Sequence, residues 1–143
     1  MEYTNIRAVN LTEADTSDNA HTYKVNNYNN HLYWESSTLD IINQISFEIP
    51  FVSDDWLVTQ STLMSDGNNE LYELDIVQLD GYYQPYFIII REGNTFVFFD
   101  GVDGILNDSD GQAWSKCKYV CPVWESSNLS HFFNKSDILT YNF

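Results

Sequence analysis

Residues Leu71–Phe99 read LYELDIVQLDGYYQPYFIIIREGNTFVFF, and this stretch decides the fold class. From Leu71 to Leu79 the residues alternate, with Tyr72, Leu74 and Ile76 on one face and Glu73 and Asp75 on the other, which is the period of a half-buried strand. Asp80-Gly81 is a favoured hairpin turn, because the central residues of such turns take positive φ. Tyr86 to Arg91 returns, Glu92-Gly93-Asn94 turns again, and Thr95 to Phe99 follows. The Phe87-Ile88-Ile89-Ile90 strand then lies between two neighbours and is apolar on both faces. It must be covered on both, by a helix, a second sheet or sheet curvature. A two-residue turn at Asp80-Gly81 sets Asp75 opposite Tyr86 and Glu73 opposite Ile88. Buried, those carboxylates would need partners, and Arg91 is the one base nearby, so this register favours their exposure.

On the N-terminal side, Trp56 to Met64 is a strand candidate ending in the turn-rich Ser65-Asp66-Gly67-Asn68-Asn69. Tyr3 to Val9, Thr22 to Val25 and Leu32 to Glu35 read as short strands. Thr12 to Ala20 and Asn26 to Asn30 read as polar loops. Ser37-Thr38 suits a helix N-cap, with Asp40 favourable to the dipole and Leu39, Ile42 and Ile45 at helical spacing, predicting a helix over 38–45. Beyond an acidic loop from Val102 to Gly111, Lys116 to Val123 reads as a strand. Ser126-Ser127 is expected to cap a last helix, with Leu129, Phe132 and Phe133 packing inward before Ser136-Asp137 interrupts it. The expectation is a single globular domain over residues 1–143, α+β but mostly β: an antiparallel meander of about 5–7 strands with one or two short helices.

The charge is the anomaly. Among 143 residues, 21 acids face 6 bases for a net charge of −15 and a pI near 4.1. Charged residues make up only 19%, and a balanced average composition would supply roughly 17 Lys plus Arg in this length. The bases are therefore missing rather than the acids enriched. The chain holds fifteen Asn but four Lys, although the codons of the two differ only at the third base. Fourteen of the acids lie between Asp40 and Asp110, where Arg91 is the one base. Direct binding to nucleic-acid phosphates or to an anionic membrane is excluded by this balance. A concentrated negative field instead draws in basic partners and speeds their association.

Catalytic and metal motifs are weak. The stretch from Asp100 to Gly111 resembles a calcium loop, but placing Gly111 at position 6 puts Leu106 at position 1 and Cys117 at position 12, so both anchoring ligands are lost. At most a weak calcium site is left there. There is no G-x-S-x-G elbow, no phosphate-cradling glycine loop, and no His beside either cysteine in sequence. Paired carboxylates such as Asp54-Asp55 carry no information in so acidic a chain. Cys117 and Cys121 would stand about 13 Å apart on a strand, too far for a disulfide, and about 6 Å apart on a helix, where geometry permits but rarely favours one. They lack the partners of a metal site and read as reduced thiols. The four N-x-S/T patterns, at Asn10, Asn107, Asn128 and Asn134, are what chance supplies in a chain rich in Asn, Ser and Thr. Met1-Glu2-Tyr3 does not open a secretory signal, and the longest apolar run, Tyr86 to Ile90, is far short of a membrane span. A cytoplasmic location is expected.

Aromatic residues amount to 16%. Most must be core, but Tyr82, Tyr83 and Trp114 fall in predicted turns or loops beside acids, a combination that supplies interface anchors within a charged rim. The reading is a small acidic inhibitor or immunity-type protein, not an enzyme and without cofactor or metal. It would act as a monomer or weak dimer on a basic protein, first of all a nuclease toxin or other nucleic-acid enzyme, by blocking its positive cleft. The alternatives are a phage-type DNA-mimic or anti-defence inhibitor, an aromatic-rich carbohydrate-binding module, and a structural or assembly protein. The candidate partner-binding residues are Glu73, Asp75, Asp80, Tyr82, Asp100, Asp103, Asp108, Asp110 and Trp114.

Overall fold

The computed structural model describes residues 5–28, 31–34, 55–108 and 111–140. The helix expected over 38–45 and the acid Asp110 lie outside them. The chain is mostly β, in two antiparallel sheets with short helices, as the alternation and turn signals imply. The first sheet contains β1 (Ile6–Asn10), β2 (Tyr23–Tyr28), β3 (His31–Trp34), β4 (Trp56–Ser65) and β5 (Glu70–Tyr72), in the order β3-β2-β1-β4-β5. The second contains β6 (Asp75–Gln78), β7 (Tyr86–Glu92), β8 (Thr95–Phe99) and β9 (Lys118–Pro122), in the order β8-β7-β6-β9. Asn26 to Tyr28, expected in a loop, belong instead to β2 and pair with β3, with Tyr28 opposite His31.

The stretch Leu71–Leu79 is not one strand. Its alternation is real, but the chain changes sheet at Glu73-Leu74. The Glu73 amide donates to the Gln60 carbonyl of the first sheet at 2.9 Å, whereas the Leu74 amide donates to Ile89 of the second at 2.7 Å. The Leu74 carbonyl accepts from the Val123 amide at 2.9 Å. Leu74 turns the corner with φ of 66°, a left-handed conformation that costs a non-glycine residue about 1–2 kcal/mol. Two backbone hydrogen bonds and a buried side chain hold it there.

The two-residue turn at Asp80-Gly81 is also corrected. Gln78 pairs with Tyr86, Val77 with Phe87 and Ile76 with Ile88, a register displaced by three residues from the expected one. The connection spans 79–85 and is closed by the Leu79 amide donating to the Pro85 carbonyl at 2.8 Å. The longer turn buries Leu79 completely and sets the Tyr82 and Tyr83 rings edge-on against Phe87. Gly81 does take positive φ, 86°.

β7 is covered on both faces, as its composition demands. Ile88 and Ile90 pack with Val9, Ala14, Trp124 and Phe133 from the first sheet, the first helix and the C-terminal segment. Phe87 and Ile89 pack on the other side with Leu79, Phe98, Ala113 and Cys117. Two helices stand where loops were expected. In α1 (Leu11–Thr16) the Asn10 Oδ1 accepts from the Glu13 amide, and Ala14 alone is buried. In α2 (Gln112–Lys116), which follows Gly111 at φ of 72°, Ala113 alone is buried. With one buried alanine each, neither helix writes a periodic signal.

The last helix is displaced. Residues 123–129 form two 3₁₀ turns, and α3 runs over Lys135–Thr140. Ser136-Asp137 lies within its first turn instead of interrupting it. The Asn134 Oδ1 accepts from the Asp137 amide and starts the helix eight residues after Ser126, whose hydroxyl was expected to. No helix among the described residues is long and apolar enough to cross a membrane.

Candidate partner-binding surface

The expected exposure of Asp75 is overturned. Arg7, from β1, and Asp75, from β6, are both buried, at 3% and 0% side-chain exposure, and the guanidinium Nη1 meets Asp75 Oδ1 at 2.5 Å. Arg7 also donates through Nε to Thr59 Oγ1 at 3.0 Å and through Nη2 to the Glu73 carbonyl at 2.9 Å. Its Cζ lies 4.8 Å from the Tyr72 ring centroid and 4.7 Å from that of Trp124. Asp75 Oδ2 accepts from the Tyr72 amide at 2.7 Å. Burial pushes the Asp75 carboxyl up from its ordinary range, against the opposing pull of the Arg7 charge and the Tyr72 amide. The pair ties the two sheets together across their interior and is neutral, so the net −15 is carried by the rest of the chain. Glu73 is half-buried, with its carboxylate on the Gln60 amide at 3.4 Å.

Arg91, the base nearest to Asp75 in sequence, instead donates to Gln60 and lies over Phe96. The signal for Arg7 was present: it stands in IRAV, a lone cation inside an apolar strand, where a buried counter-charge is required.

Other candidates also turn inward. Trp114 is half-buried, with its ring 4.5 Å from that of Phe98. Tyr82 is half-buried against Phe87. Asp108 caps α2, its Oδ1 accepting from the Ala113 amide at 3.0 Å.

What the structure does bring together lies at one end of the second sheet, where the 79–85 connection meets the loop after β8. Asp100 organises it. Its Oδ1 accepts from the amides of Val102, Asp103 and Gly104 at 2.9, 3.1 and 3.0 Å. Its Oδ2 accepts from the Tyr83 hydroxyl at 3.1 Å, and its carbonyl accepts from Gln84 Nε2 at 2.8 Å. Burial raises the Asp100 carboxyl, but the three amides and the hydroxyl outweigh it and hold the group below the usual carboxylate range. Burial and the bond to Asp100 raise the Tyr83 phenol in turn. Around this knot Tyr83 is 63% exposed, Val102 76% exposed, and Asp80 and Asp103 face solvent. Tyr83, beside Tyr82 in sequence, is the exposed ring of the two.

Two concavities among the described residues are of similar size and share no lining residue. One, of about 460 Å³, has the 101–102 loop as one wall and residues 130–138 as the other. The second, of about 470 Å³, opens over Arg7 between β5 and β9 and carries both signs of charge, with Lys24 as well as Asp18, Glu70 and Glu125 on its lining. Asp18 is already occupied there: it accepts from Ser127 Oγ at 2.7 Å and pairs with Lys135 at 3.3 Å.

No group of three His, Cys, Asp or Glu able to hold a metal occurs among the described residues. Cys117 and Cys121 are free thiols, and burial, with nearby acids adding to it, pushes both up to about 11. Neither has the thiolate character of a nucleophile. No family model matches the chain, and no curated protein matches its sequence.

Proposed function

We propose that this protein is an acidic binding protein that neutralises a basic partner, a nuclease toxin or another nucleic-acid enzyme, by occupying its positive cleft. The observation that carries the reading is the Asp100 knot. It holds the 100–104 loop in one conformation through three backbone hydrogen bonds and presents Asp103 with the exposed Tyr83 and Val102. A rigid loop with charge outside and apolar anchors beside it loses little entropy on docking, while the surplus of acid steers a cationic partner toward it. The interface acids under this reading are Asp80 and Asp103, with Tyr83 as anchor and Asp100 as the residue that shapes the loop.

A phage-type anti-defence inhibitor would use the same physics and is the alternative. The carbohydrate-binding reading is less well supported, since Trp124 is fully buried and Trp114 is committed to the core beside Phe98. The free thiols suit a reducing compartment, and we place the protein in the cytoplasm.

The test is capture from lysate of the source cell, and from its co-encoded neighbours, at low and then high salt. One basic protein should bind, be released as salt rises, and lose nuclease or nucleic-acid-binding activity when bound. Absence of any basic partner at low salt would overturn the proposal. Asp80→Lys with Asp103→Lys should slow association by about tenfold at low salt without loss of stability, as stopped-flow mixing and urea titration would show. Unchanged rates would remove this end of the sheet from the interface.

A further inference from the structure

Resting on that reading, we infer that the groove beside the 100–104 loop is the docking seat for a segment of the partner that is both basic and apolar. Its floor is apolar, formed by Phe99, Phe133 and Ile138, each buried. Its walls add the exposed Val102 on one side and the half-buried Phe132 on the other. The loop wall is fixed twice: Asp100 gathers its amides, and Gly101 sits so close to Phe133 that a Cβ there would collide with the ring. Phe132 is held edge-on against Tyr86, with centroids 5.1 Å apart. At about 460 Å³ the groove falls in the range of sites that bury small groups, roughly 300–1,000 Å³.

Charge selects the occupant. The charged residue lining the groove is Asp137, and Asp103 belongs to the same loop as its Val102 wall. No Lys or Arg lines it among the described residues. The neighbouring Lys135 is turned away, donating to Asp18, the Ser17 carbonyl and the Trp124 carbonyl. A purely apolar segment would fill the floor and leave the carboxylates unanswered, and a purely basic one would leave the floor wet. A segment in which a Leu or Phe is flanked by Lys or Arg satisfies both, with the apolar side chain between Val102 and Phe132 and the cations on Asp103 and Asp137. The groove and the acidic loop thereby form one continuous surface, an apolar centre within a charged rim.

The experiment needs no identified partner. Isotope-labelled full-length protein is titrated with three synthetic peptides of equal length, monitored by backbone amide shifts. One alternates Arg with Leu and Phe, the second replaces Leu and Phe with Ser, and the third keeps them but replaces Arg with Glu. The first peptide should move the amides of Val102, His131, Phe132 and Asp137 saturably and bind at least about tenfold tighter than the second, while the third should not bind. Val102→Ser, at an exposed position that leaves the fold intact, should remove most of that advantage, and Phe132→Ala should do the same. Equal affinity of the two basic peptides, or shifts confined to the cleft over Arg7, would overturn the groove and leave the acidic-inhibitor reading standing. Failure of both basic peptides to bind anywhere would overturn both.

Discussion

The Arg7–Asp75 pair shows why charge in this chain must be counted residue by residue. In a protein with 6 bases, one is buried against a carboxylate, and its Nε and Nη2 donate to Thr59 and the Glu73 carbonyl. Breaking the pair leaves a desolvated cation with nowhere to go. Asp75→Asn should destabilise the fold by about 3–5 kcal/mol in urea unfolding, whereas Arg7→Met with Asp75→Leu should cost far less. A double variant that loses as much as Arg7→Met and Asp75→Leu added together would show that the pair is not coupled. Asp66 is the counterpart at the surface. It accepts from the amides of Tyr119, Asn68 and Asn69, and these lower its carboxyl from 3.8 to about 2. A depressed folded value means that the stabilisation is complete above pH 3.8 and is lost as pH falls toward 2. Asp66→Ala should therefore lower stability at neutral pH and flatten the stability curve across that acid interval, measured by thermal unfolding against pH. What sequence reading caught at this scale was the demand that a buried carboxylate find a cation. What it missed was the identity of the cation, because Arg7 and Asp75 are brought together by the packing of two sheets and by nothing local.

Among elements, the strands from Trp56 to Phe99 were legible where apolar runs were bounded by turns of Gly, Asn and Asp. β4, β7, β8 and the turn at 93–94 stand where those runs and glycine place them. The break at Glu73-Leu74 was not legible, since alternation continues through it and a leucine at positive φ has no sequence signature. The three-residue register shift has the same origin: Leu79 and the two tyrosines are worth more packed on the sheet than a tight turn at Asp80-Gly81. Several candidate interface residues proved to be parts of elements, and Asp108 is the clearest. Asp108→Ala removes the carboxylate that receives the Ala113 amide at the start of α2 and should cost about 1 kcal/mol. It should leave association with the partner unchanged, so a slowed on-rate in that variant would return Asp108 to the interface.

For the whole molecule, the deciding quantity is the shortage of cations. Of the 6 bases, Arg7 is internal, Lys135 is bound to Asp18, and Arg91 lies over Phe96 and donates to Gln60. Self-repulsion on this scale lowers stability, and a molecule that carries it gains when a cationic surface approaches. Salt must then act in two directions at once: it should raise the stability of the free protein by screening repulsion and weaken its complex by screening attraction. Composition alone announced the sign of the field. The position of Asp103, on a loop stiffened by Asp100 and beside an apolar groove, came only with the packing of Phe133 against Gly101. The most direct test of the account is parallel capture with the wild-type protein and the Asp80→Lys, Asp103→Lys variant, each eluted along a salt gradient. One basic, nucleic-acid-acting protein should be held by the wild type at low salt, released as salt rises, and held weakly by the variant. A partner retained equally by both proteins and indifferent to salt would contradict it.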